Sequence, residues 1–152
     1  MTVIVRPMVL TDIPAVVMID KASFSLPWPE TSYRYELQSN AASRCFVAES
    51  EASEILAMIV SWLIVDELHI ATIATSPDHR RKGIGGQVLS AALRDATAAG
   101  ARRAFLEVRV GNEEAQAMYR KFGFTITGTR AAYYRDNGED AILMTLEPLE
   151  VL

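Results

Sequence analysis

The chain has 152 residues, half of them hydrophobic and 22% charged, a size and balance that suit one globular domain over residues 1–152 and disfavour a disordered chain. A net charge of −4 disfavours binding to a phosphate backbone, so nucleic acid is not an expected partner, whereas a basic peptide could be attracted. A single cysteine, Cys45, excludes an intrachain disulfide framework, and with only His69 and His79 beside it no usual zinc set is present, so no metal is expected.

The opening residues, Met1 to Pro7, lack the basic and apolar regions of a signal peptide. The longest apolar run, Ile55 to Val65, is too short to span a bilayer. The expected location is the cytoplasm, with no membrane partner. Thr2–Met8 reads as a first strand. Thr11 can cap a helix running to about Ala22, with Pro14 tolerated in its first turn. In Phe24-Ser-Leu-Pro-Trp-Pro29 two prolines around Trp28 forbid a helix and fix a stiff loop. Glu30–Gln38 is a second short helix. Arg44–Glu49 and Ile55–Val65 form a hairpin across Ser50–Glu54, with Cys45 read as a buried thiol, and Leu68–Thr75 adds a third strand.

From Gly83 to Ala99 the apolar residues Val88, Leu89, Ala92, Leu93 and Ala96 fall on one face of a helix, which Gly100 ends. Arg103–Val110 alternates strictly: Ala104, Leu106, Val108 and Val110 share one face, Phe105, Glu107 and Arg109 the other. Asn112 caps a further helix with an apolar stripe of Ala115, Met118, Tyr119 and Phe122, closed by Gly123. Phe124–Thr129 and Ala141–Leu146 read as a last strand pair around the loop Tyr133 to Asp140. Short apolar and amphipathic segments alternate throughout without repeats or linkers, which indicates a single α/β domain.

The first chemical feature is Arg80-Arg-Lys-Gly-Ile-Gly-Gly86, which follows a strand and Ser76-Pro77 and opens a helix. A helix start carries free N–H groups and partial positive charge, and Gly83 and Gly85 let the backbone approach an anion closely. A pyrophosphate is the natural ligand; the alternative is a glycine-bearing turn with a solvated basic cluster. Val88 stands where a dinucleotide fingerprint needs glycine, and Gly86-Gln87 where a Walker loop needs Lys and Ser or Thr.

Arg80-x-x-Gly83-x-Gly85 resembles the acetyl-CoA signature of the GCN5-related N-acetyltransferases, the GNAT superfamily. Asn112-x-x-Ala115-x-x-x-Tyr119-x-x-x-Gly123-Phe124 resembles its later segment, in the correct order. The resemblance extends to the ribosomal-protein-alanine N-acetyltransferases, the RimI type, through Leu106-Glu-Val-Arg109, Phe24…Pro27-Trp28, and Arg130-Ala-Ala-Tyr-Tyr-Arg-Asp-Asn-Gly-Glu-Asp-Ala141 with Met144. It implies a mostly antiparallel mixed sheet with a splayed parallel central pair, flanked by helices. By the same resemblance, the backbone of Ile73, Ala74 and Thr75 holds the acetyl-CoA thioester and pantetheine arm. Arg81, Lys82, Gly83, Ile84, Gly85 and Gly86 hold the pyrophosphate, Arg80 fits the first position of the cofactor signature, and Asn112 touches the cofactor. Glu107 is the proton acceptor and Tyr119 the proton donor, and the oxyanion rests on the backbone N–H of Ile73. Phe24, Trp28, Tyr133 and Tyr134 wall a peptide slot. Thr75 stands where the superfamily more often has a branched apolar residue. The implied substrate is a protein N-terminus, that of a ribosomal protein, and the implied enzyme a monomer or weak homodimer.

The residues leave alternatives open. Glu107 lies mid-strand in a sheet, so it either faces a cleft or pairs with Arg109; burial would raise its pKa toward that of a useful base. Tyr119 is either a donor or a core tyrosine, and the four loop aromatics either line a slot or pack on the surface. Glu30, Glu139 and Asp140 could rim a site for a basic peptide. His69 and His79 read as a strand and a turn residue. An α-amine, with pKa near ~7.7–8.0, is easier to deprotonate than a lysine at ~10.4. Rival readings are an acetyltransferase for lysine or a small amine, a non-catalytic acyl-CoA-binding module, and a nucleotide-binding domain.

Overall fold

The computed structural model describes residues 2–149. Seven strands form one sheet in the order β1-β2-β3-β4-β5-β7-β6. They are β1 (Val3–Pro7), β2 (Ser43–Ser50), β3 (Ile55–Ile64), β4 (Glu67–Thr75), β5 (Arg103–Arg109), β6 (Thr125–Arg130) and β7 (Ala141–Leu146). Every neighbouring pair is antiparallel except β4 with β5. The helices are α1 (Ile13–Ser23), α2 (Glu30–Gln38), α3 (Ile84–Ala98) and α4 (Glu113–Lys121). The mixed sheet and its parallel central pair match the arrangement that the resemblance implied.

The sheet carries a core on each face, as strand alternation requires. On one side Ala57, Ile59, Leu68, Ile70, Ala104, Leu106 and Val108 pack under Val88, Leu89 and Ala92 of α3 and Tyr119 of α4. On the other, Val47, Met58 and Val60 pack under Ile13, Val16 and Ile19 of α1 and Tyr33 of α2. Val110, expected on the inner face of β5, lies beyond the strand and is exposed. The thiol of Cys45 is buried, which pushes its pKa up to about 11 and leaves it inert.

Two features decide where a site can form. The first is a bulge in β4: Ile70 faces Ser61 and Thr72 faces Val60, which leaves Ala71 without a partner. The bulge inverts the alternation, so Ile70 belongs to the α3 core and Ala74 to the α1 core. The second is the shortness of the parallel pairing, which holds only Glu67–His69 against Arg103–Phe105. Beyond His69 the two strands separate, and the rest of β5 is held only by β7.

Helix α1 starts one residue later than the sequence suggested. A 3-10 turn over Leu10–Asp12 precedes it, so Asp12 rather than Thr11 occupies the cap position, held by Arg6 at 2.8 Å and by the N–H of Val9. The stiff α1–α2 loop is anchored by Asp20, which is buried and accepts from the Tyr33 hydroxyl at 2.5 Å and from the N–H of Trp28 at 3.0 Å. Burial raises the pKa of Asp20. Replacing Tyr33 with Phe removes one of two donors from a buried carboxylate. It should cost about 1.5–3 kcal/mol of stability, read as a lower urea midpoint with an unchanged slope.

Candidate active site

The bulged β4 presents its end to the gap. Ser76 donates to the carbonyl of Leu56 at 2.8 Å. Alternation along the β3–β4 ladder then turns the backbone groups of Ile73 and Thr75 away from β3 and toward the space vacated by β5. The carbonyl of Thr75 confirms this, since it accepts from Arg80 Nε at 3.2 Å rather than from β3. The N–H of Ile73 therefore faces the cleft, available to a carbonyl oxygen.

The loop after β4 turns twice through the left-handed region, at Arg81 (φ 63°) and at Gly83 (φ 78°), which caps α3. Such a winding points successive N–H groups into one concavity, and the α3 start adds its dipole. A Cβ on Gly85 would sit 3.2 Å from Thr75 Oγ1 and 3.6 Å from Met118 Sδ, so the first turn of α3 lies close against β4 and α4. The cradle therefore fits a pyrophosphate. Thr75, the departure from the usual apolar residue, turns its hydroxyl toward this turn. Arg80 has a structural task as well, bridging the carbonyl of Thr75 and the hydroxyl of Ser23 at 3.1 Å. Arg81 and Lys82 are exposed, and Arg81 comes within 3.8 Å of Glu114 on α4. Ile84 is buried beneath the loop and Gly86 faces Phe122. Asn112 caps α4 as expected, accepting from the N–H of Ala115 at 3.2 Å.

Glu107 does not pair with Arg109. It projects on the α1–α2 face and meets Nε2 of His69 at 2.9 Å, with the two side chains 13% and 22% exposed. The expected rise in its pKa is also overturned. The His69 hydrogen bond outweighs desolvation and holds the carboxyl below its ordinary range, with Arg130 adding a smaller pull. His69, read from sequence as an ordinary strand residue, is thus part of the site. It lies between Trp62, 5.2 Å away, and Phe105, on which it stacks at 4.7 Å. Only the strand register that sets His69 opposite Phe105 could have revealed it.

Tyr119 approaches from the opposite face, packed against Phe124 at 5.8 Å. Burial raises its pKa, so the phenol stays protonated. Among the described residues its hydroxyl makes no hydrogen bond, and the residue is 5% exposed.

The aromatic loops come together. Ser25, beside Phe24, bonds Asp136, a few residues past Tyr133 and Tyr134. Arg109 holds Asp136 at 2.8 Å and Glu139 at 3.3 Å and lies 4.0 Å over the Tyr134 ring. Tyr133 meets Tyr134 edge-on at 5.1 Å, and Trp28 leans on Tyr33 at 5.4 Å. Burial pushes Tyr134 up to about 12, and its hydroxyl lies within electrostatic reach of Glu107. Of the acidic residues suggested as a rim, Glu139 bonds Arg109 and the N–H of Gly111, Asp140 accepts from the N–H of Ala132, and Glu30 pairs with Arg34.

Comparison with known proteins agrees with this geometry. Residues 13–124 match the Acetyltransferase (GNAT) family. A protein of Escherichia coli (strain K12) named [Ribosomal protein bS18]-alanine N-acetyltransferase is 31% identical over 139 residues, covering 90% of this chain and 91% of its own. A Bacillus subtilis (strain 168) protein given the same activity provisionally in its name is 38% identical over 140 residues, 92% of each chain. The crystal structure of the Escherichia coli ribosomal-protein-S18-alanine N-acetyltransferase superposes with a TM-score of 0.88 at 27% identity, covering 99% of this chain and 96% of that one. Ard1 from Thermoplasma volcanium gives 0.87 at 26%, covering 99% and 100%. With the family matched over most of its length and its signature cradle built at the split of β4 and β5, the chain belongs to the GNAT family of acetyltransferases.

Proposed function

We propose that this acetyltransferase moves acetyl from acetyl-CoA to the α-amine of a protein N-terminus, and that its substrate is the N-terminal alanine of a small-subunit ribosomal protein. It would act in the cytoplasm as a monomer or weak homodimer. Among the described residues no helix is long and apolar enough to cross a membrane. The relatives named for that reaction match this chain over nine-tenths of its length. The observation that carries the chemistry is Glu107 at the mouth of the split sheet, held by Nε2 of His69 at 2.9 Å.

Acetyl-CoA supplies an activated acyl group. The α3 cradle and the backbone of Ile73 to Thr75 position it, and the N–H of Ile73 donates to its carbonyl oxygen as negative charge develops. The amine enters between the aromatic loops on the α1–α2 face, where Glu107 accepts its proton directly or through water. A carboxylate held this low is a weak base. It suffices for an α-amine, whose deprotonation at neutral pH costs about 1 kcal/mol, but a lysine would demand about 3 kcal/mol more. That difference favours the N-terminal substrate.

Tyr119 stands on the other face, toward the departing sulfur. Full proton transfer from a phenol raised above ~10 to a thiolate of pKa near ~8.5 runs uphill. A hydrogen bond to the sulfur is the contribution that energetics support.

Incubation of ribosomal protein bS18 with this chain and acetyl-CoA should add one acetyl group, located by mass spectrometry on the N-terminal alanine. Acetylation confined to lysines, or persisting on an N-terminally blocked peptide, would reject the reading. Glu107→Gln should lower kcat/KM by about 10²–10⁴ with little change in CoA affinity by calorimetry. Tyr119→Phe should lower kcat by about 10–100-fold, the worth of one hydrogen bond to a charged group. Carbon-13 NMR should find the Glu107 carboxyl titrating below the ordinary glutamate range, and the midpoint should move up in His69→Ala. An unmoved midpoint would remove His69 from the site.

A further inference from the structure

A groove of about 360 Å³ lies between α2 and the end of β3, lined by Trp28, Thr31, Ser32, Tyr35, Glu36 and Trp62. Glu36 is 7% exposed, and all its hydrogen-bond partners are neutral: the indole N–H of Trp62, the hydroxyl of Ser43 at 2.9 Å and the amide of Asn40 at 3.2 Å. A buried carboxylate whose charge is met only by neutral donors retains an electrostatic demand for a cation. Around it stand three aromatic rings, whose faces attract the same kind of ligand. Tyr35 is 56% exposed, so this wall is open to solvent.

The groove adjoins the candidate active site. Trp28 belongs to the α1–α2 loop that walls the peptide slot. Trp62 sits beside His69, and His69 bonds Glu107. Resting on the N-terminal acceptor reading above, we propose that this groove is a subsite for a basic side chain of the acceptor protein, downstream of the acetylated residue. Arginine is the better fit, because a planar guanidinium stacks on an indole face while reaching a carboxylate. β3 lies two strand spacings from β5, about 10 Å, and an extended peptide advances about 3.3 Å per residue. The subsite is therefore reached by the third or fourth residue of the acceptor. The chain's net charge of −4 attracts such a peptide at longer range.

Peptides beginning with alanine, with one arginine walked through positions two to five, separate this proposal from the reading it rests on. Each is compared with its citrulline counterpart, which keeps the shape and removes the charge. The expected result is turnover of all the peptides, with KM about 5–10-fold lower for arginine than for citrulline at position three or four and kcat nearly equal. In Glu36→Gln that ratio should fall to within twofold, and Tyr35→Ala, a change at an exposed residue, should reduce it as well. Turnover of every peptide with no arginine preference at any position overturns the subsite and leaves the N-terminal reading standing. So does an arginine preference that survives in both variants, since the charge would then be read elsewhere. Failure of every peptide to accept acetyl overturns the N-terminal reading itself.

Discussion

The structure depends on an unfinished pairing. β4 and β5 hold together for three residues and then part, and the candidate active site lies at the space between them. The bulge at Ala71 is the local cause. By adding one residue to β4 it bends the strand and exchanges the faces of its side chains. A fully paired sheet would have consumed the N–H of Ile73 in the β4–β5 ladder. The fold instead leaves backbone donors unpaired at one end of a central strand, where a ligand can satisfy them.

The gap also lets the two faces of the sheet cooperate. Glu107 and His69 stand on the α1–α2 face, and Tyr119 and the α3 cradle on the other. Acyl transfer passes through a tetrahedral centre, at which the incoming amine must lose a proton and the departing sulfur must be stabilised by separate groups. A split sheet supplies that separation without a deep pocket. In the proposed reaction the dipole and N–H groups of α3 would hold the anionic end of one substrate, and the loops from α1–α2 and β6–β7 would enclose the other.

Electrostatics are arranged to keep the site ready at neutral pH. The His69 hydrogen bond keeps Glu107 ionised, and burial keeps Tyr119 protonated. Arg109 has a different task from the one its position beside Glu107 suggests. It gathers Asp136, Glu139 and the ring of Tyr134 into one cluster, and Asp136 reaches Ser25 on the facing loop. The α1–α2 and β6–β7 loops are thus tied together through side chains.

Much of this was written in the local sequence. Period and caps gave the helices to within a residue or two, because the 3.6-residue repeat of Val88 to Ala96 and the cap of Asn112 are short-range properties. The alternation around Glu107 placed it opposite Leu106 and Val108, and the glycines after Arg80 marked an anion cradle at a helix start. What the sequence could not determine is which residues meet across strands. Glu107 could have answered to Arg109, two residues away on the same face. It answers instead to His69, thirty-eight residues earlier, because the β4–β5 register brings that ring alongside. The direction of its pKa followed from that contact and not from burial. Intrinsic propensity sets each segment's form, but register, splay and the partners of buried charges are fixed only when strands distant in the chain dock together.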